Sequence, residues 1–129
     1  MKLTLYSKLE FLATHSLEER EEAHPHRWKM VVGVSGPQDK GRVVSLPLLR
    51  DLLIEPIAPL SDTYLNENAA LDEDTRRFPT CENLAFYFFP LAQKLLQEKI
   101  SPELFVESVE VSVQEPDGVE HGYCVLKRE

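Results

Sequence analysis

The chain has 129 residues, 43% hydrophobic and 28% charged, with fourteen basic against twenty-two acidic side chains for a net charge of −8. That length suits one domain, 1–129, with a modest core, and no apolar run approaches the roughly 18 residues a membrane-crossing helix requires. The negative field repels phosphate backbones and anionic surfaces and no basic stripe offsets it, so neither nucleic acid nor membrane is an expected partner.

The opening MKLTLYSKLEF alternates and lacks the uninterrupted apolar core and small-residue cleavage site of a signal peptide, so it reads as a strand and the expected compartment is cytoplasmic. In a reducing compartment Cys81 and Cys124 are expected to be free thiols. Aromatic and β-branched residues mixed with polar ones over residues 3–15 predict a half-buried strand with Phe11, Ala13 and His15 on one face. Residues 27–35, RWKMVVGVS, alternate again. If that strand begins before His24, then His24, His26, Trp28, Met30, Val32 and Val34 point one way.

Turn formers fill residues 35–41, and Pro47 then opens a helical leucine pattern (46, 48, 49, 52 and 53) that Pro56 should end. Residues 60–78 hold few large apolar side chains and read as a long irregular segment, often a functional feature in a small domain. The main helix begins at Pro79-Thr80 and carries Leu84, Phe88, Leu91, Leu95 and Leu96, with Pro90 inside it. Val109, Val111 and Val113 then mark a strand face, and a turn at Pro116-Asp117-Gly118 leads into a final hairpin strand, VEHGYCVLKRE. The order ββααββ predicts an α+β fold, an antiparallel sheet with helices on one face. The bare second face points to a homo-oligomer.

The chemistry-bearing stretch is EEAHPHRW, residues 21–28. Three neutral imidazoles, His15, His24 and His26, converge if the first two strands pair antiparallel, and three histidines with an open fourth position make a catalytic zinc site. A polar turn whose histidines bind nothing has the same spacing. Cys81 in the first turn of the main helix is either a thiolate stabilised by the helix N-terminus or a small buried side chain. His121 reads as an exposed turn histidine and Trp28 as packing.

The set F-x-A-x-H (Phe11, Ala13, His15), H-x-H (His24, His26), L-x-x-x-x-L-N (Leu60, Leu65, Asn66), P-T-x-E-N (Pro79, Thr80, Glu82, Asn83) and a late strand ending at Glu115 resembles the 6-pyruvoyl-tetrahydropterin synthase and 6-carboxytetrahydropterin synthase family. The resemblance covers nearly the whole chain in order. It implies a tunnelling fold (T-fold): a four-stranded antiparallel sheet with two helices on one face, closing as a trimer and stacking as a hexamer. It implies zinc on His15, His24 and His26, and Glu115 as anchor of a pterin ring, a carboxylate accepting two parallel N–H bonds. Without the resemblance, Glu115 reads as a solvated carboxylate at a strand end.

The departures bear on chemistry. Family members acting on a triphosphate use a cysteine shortly before H-x-H, whereas SLEEREEA has none; Ser61 and Asp62 stand where an Asp-His pair is usual, and Pro25 replaces a glycine. One branch of the family uses glutamate in E-x-x-H-G-H and cleaves dihydroneopterin in an aldolase-like reaction; Glu21 fits that spacing as a general base. Asp62 is the other candidate proton handler, provided burial raises its pKa. Glu18, Glu19, Glu21 and Glu22 also read simply as a solvated charged loop, and beside a site mouth they disfavour a triphosphate. The expected activity is a zinc-dependent lyase or aldolase acting on a dihydropterin side chain. The alternatives are a non-catalytic module binding a pterin- or purine-like ligand, and a structural oligomer whose histidines bind nothing.

Overall fold

Alternation builds the first two strands, β1 (Leu5–Leu17) and β2 (Arg20–Ser35), which pair antiparallel with Leu5 opposite Val34 and His15 opposite His24. The structure is a computed structural model describing residues 1–18, 20–115 and 117–129, with the side chains of Arg20 and Glu21 also outside the description. Strand β3 (Phe105–Gln114) pairs with β2, and β4 (Tyr123–Lys127) with β3, giving a four-stranded antiparallel sheet in the order β1-β2-β3-β4. A register irregularity falls between Gly33 and Val34. Gly33 lies opposite Tyr6, and a Cβ there would meet Tyr6 Cε1 at 2.9 Å and Ser108 Oγ at 2.7 Å, so a larger residue would force those side chains to shift.

The inner sheet face is the core. Leu9, Phe11, Ala13, Trp28, Met30, Val32, Val34, Val109 and Val111 are buried there. Helix α1 (Leu46–Ile54) starts at the Ser45 cap with proline in its first turn and buries Leu49 and Leu53. Residues 60–78 are less irregular than their composition predicts. They contain a 3-10 turn (Leu65–Glu67) and a five-residue helix, α2 (Glu73–Arg77). Asp72 caps α2, with Glu73 and Asp74 in its first turn and Arg76 and Arg77 in its last, the charge order a helix dipole favours. A helix held by cap and charge gives little apolar periodicity to read.

Helix α3 (Cys81–Lys99) is capped by Thr80, whose hydroxyl accepts from the Asn83 N–H at 3.1 Å, and lays Leu84, Ala85, Phe88, Ala92 and Leu96 on the core. The Gln93 amide ties it to β3 by accepting from Val106 N–H at 2.9 Å and donating to the Leu104 carbonyl at 3.1 Å. The final strand is shorter than expected, starting at Tyr123. Ahead of it the chain satisfies itself locally: Gly118 N–H reaches Glu115 O at 2.8 Å, and Glu115 N–H reaches Val119 O at 3.0 Å.

The outer sheet face carries ion pairs, Arg27 with Glu10 at 3.3 Å and Lys29 with Glu120 at 2.8 Å. The same face also exposes Tyr6, Leu12, Tyr123 and Val125, so it is mixed in character. Among the described residues no helix is long and apolar enough to cross a membrane.

Candidate metal and ligand site

At one end of the inner face the alternation continues but the side chains change from aliphatic to imidazole. His15 is paired across the ladder with His24, and His26 lies opposite Ala13. The His15 and His26 rings are perpendicular with centroids 4.9 Å apart, and His24 and His26 are 6.1 Å apart. Trp28, fully buried, sets its ring at 83° to His15 with 5.0 Å between centroids and donates Nε1–H to the Ala13 carbonyl at 3.2 Å.

Two of the imidazoles are locked by backbone. His15 Nδ1 lies 2.9 Å from the Pro79 carbonyl and His26 Nδ1 lies 3.2 Å from the Gln114 carbonyl. A carbonyl only accepts, so each Nδ1 carries the proton and each Nε2 presents a lone pair, as in histidines that ligate metals. Burial lowers the His15 pKa below its ordinary 6.5 and the nearby His26 adds to this, while the Pro79 bond opposes it; His15 is therefore neutral at pH 7. His24 has its Nε2 4.0 Å from a Glu22 carboxylate oxygen. Among the described residues no group of three or more His, Cys, Asp or Glu side chains is placed to hold a metal ion. Three imidazoles are a zinc-type donor set, and the Nδ1–H tautomers of His15 and His26 leave their Nε2 atoms for a metal.

The three histidines line a cavity of about 410 Å³ together with Trp28, Thr80, Cys81, Glu82 and Glu115. No described Lys or Arg lines it. Burial, followed by the proximity of Cys124 and Glu82, pushes the Cys81 thiol up to about 12, so the position at the start of α3 yields no thiolate. Both cysteines are free thiols, as expected.

Glu115 reaches this cavity from the end of β3. It also borders a neighbouring space of about 700 Å³, shared with His24, His26, Arg27 and Asp62. Asp62 belongs to that second space and not to the histidine cavity. Its backbone sits in the left-handed region at φ 60°, with its N–H on the Leu12 carbonyl at 2.6 Å. The Glu21 side chain lies outside the described residues. His121 stands apart, exposed and paired with Asp117 at 2.9 Å. Thr80, Glu82 and Trp28 also line the cavity, beyond the site residues that the sequence predicts. The P-T-x-E-N run at a helix start was the available signal for the first two, because a first helical turn facing a cavity offers both its cap and its next carboxylate.

Residues 4–123 match the 6-pyruvoyl tetrahydropterin synthase family. No curated protein sequence matches the chain. Among solved structures, the fold is similar to Caenorhabditis elegans 6-pyruvoyl tetrahydropterin synthase, with TM-score 0.71 and 20% identity over 100% of this chain and 97% of that one. It is similar to the uncharacterized protein WS1659 from Wolinella succinogenes, with TM-score 0.75 and 13% identity over 100% and 99% of the two chains. It is also similar to a Plasmodium vivax 6-pyruvoyltetrahydropterin synthase in which a glutamate described as a catalytic residue is changed to alanine, with TM-score 0.69 and 15% identity over 99% and 98%. At these identities the likeness is one of fold.

Proposed function

Because the chain belongs to the 6-pyruvoyl tetrahydropterin synthase family, we propose that it is a zinc-dependent pterin-site enzyme, a lyase or aldolase acting on a dihydropterin side chain. The observation that carries this reading is the pair of imidazoles, His15 and His26, held at Nδ1 by backbone carbonyls and lining one cavity with His24 and two carboxylates. His15, His24 and His26 hold the metal in this reading, and zinc when bound supplies a Lewis acid for a side-chain oxygen. Glu115 takes the 2-amino and N3 edge of the ring. Glu21 takes the proton from the side-chain hydroxyl whose loss starts carbon–carbon cleavage, a role supported by analogy with the catalytic glutamate of the Plasmodium vivax protein. Asp62, the second candidate proton handler, is exposed at the adjoining space and lacks the burial that this role requires. The carboxylates Glu82 and Glu115 on the cavity wall favour an uncharged side chain over a triphosphate. The working form in this reading is a cytoplasmic homo-oligomer, a trimer or hexamer of single-domain chains.

A non-catalytic member binding a pterin- or purine-like ligand is the second reading, favoured by the exposure of Asp62, which leaves that carboxylate without the burial a proton handler needs. Incubating zinc-loaded protein with dihydroneopterin and separating the products decides between them. The enzyme reading predicts 6-hydroxymethyl-dihydropterin, with Glu21→Gln slower by about 100-fold or more. Tight binding without product would establish the second reading.

A further inference from the structure

We propose that Asn66 is the positioning residue of His15, its side-chain amide standing in for a missing backbone partner at the last rung of β1. The edge of β1 turned away from β2 exposes the backbone groups of alternate residues, Leu12, Thr14 and Ser16. The first two are met by backbone: the Leu12 carbonyl accepts from Asp62 N–H at 2.6 Å, and Thr14 N–H donates to Thr63 O at 2.9 Å. At the third rung the chain has entered the 3-10 turn Leu65–Glu67, and the Asn66 side chain takes over. Its Oδ1 accepts from Ser16 N–H at 2.9 Å and its Nδ2 donates to the Ser16 carbonyl at 3.0 Å. One carbonyl and one NH₂ on a single side chain reproduce the acceptor and donor of a peptide.

The location gives the clasp its consequence. On the β2 side the ladder loses register between His15 and Leu17, immediately after the His15–His24 pair, so the inner pairing does not hold Ser16 in regular register. The ring of His15 is fixed by Pro79, but its main chain on the C-terminal side is fixed by Asn66. Asn66 is itself well seated, because the adjacent Leu65 is fully buried and Tyr64 OH lies 2.7 Å from Ser16 Oγ. Asparagine is the required type: aspartate keeps the acceptor and loses the donor, and alanine loses both. Such supporting contacts orient metal-ligating histidines, and their loss weakens metal binding.

The metal readout of this inference rests on the reading of His15 as a zinc ligand, so the test has a metal-free arm. In full-length Asn66→Ala, amide hydrogen exchange at Ser16 should quicken about tenfold or more and the His15 imidazole resonances should shift in metal-free protein. Zinc affinity by chelator competition should fall about tenfold to a hundredfold, with Asn66→Asp between the two. Asn68→Ala is the control: Asn68 bonds Pro59 O and Thr63 Oγ1 in the same loop without touching Ser16, and it should leave the His15 resonances and zinc affinity unchanged. Unchanged His15 resonances and Ser16 exchange in Asn66→Ala would overturn the proposal. Wild-type protein that binds no zinc would remove the ligand assignment while the metal-free arm still decides the clasp. If the alanine variant does not fold, the near-isosteric Asn66→Asp carries the same comparison.

Discussion

Val32 and His24 lie on the same strand, on the same face, eight positions apart in one alternation. At the Val32 end the face is apolar and sealed beneath the helices, with Met30, Val32 and Val34 fully buried. At the His24 end the face turns polar and opens into a cavity, and each buried imidazole there needs a hydrogen-bond partner brought from a distant part of the chain. The difference shows that the candidate site is the core pattern continued with other side chains. Its geometry is inherited from the same strand pairing that seals the core.

If the two ends do separate work, changes at one should leave the other intact. The largest effect is expected from Met30→Ala at the sealed end, a loss of about 2–5 kcal/mol in urea denaturation. Zinc stoichiometry below the transition should be unchanged in that variant, and loss of metal binding together with stability would break the separation.

The polar end should show itself through pH. The His15 pKa is lowered in the folded state, so below its unfolded value of about 6.5 the unfolded chain binds more protons than the folded one, and stability falls as pH drops through that window. In metal-free protein the urea midpoint should therefore decrease between about pH 7 and about pH 5.5, with a shallower slope in His15→Asn. An identical slope in the variant would remove His15 as the source. The smallest effect is expected on the outer face, where Lys29→Ala breaks the Glu120 pair in a solvent-exposed setting and should cost no more than about 1 kcal/mol. A larger loss would show that this face is buried in an assembly.

The sequence made the sealed end legible because a period of two is a local property, visible in Trp28, Met30, Val32 and Val34 as in Phe11, Ala13 and His15. It also placed the three histidines on one face once antiparallel pairing was assumed. It could not show what holds them. His15 bonds a carbonyl 64 positions away and Ser16 an amide 50 positions away, and such contacts leave no periodic trace. Thr80 and Glu82 were visible as a helix start but not as a cavity wall, since that depends on how α3 lands on the sheet. The helix at 73–77 escaped notice because its cap and charges, not an apolar stripe, sustain it.

The central claim is that the imidazole end of the sheet is a metal site. Metal analysis after zinc reconstitution and dialysis, on wild type and on the His24→Ala, His26→Ala double variant at known subunit concentration, tests it most directly. The account predicts about one zinc per subunit in wild type and background in the variant. Background metal in both, or equal zinc in both, would contradict it.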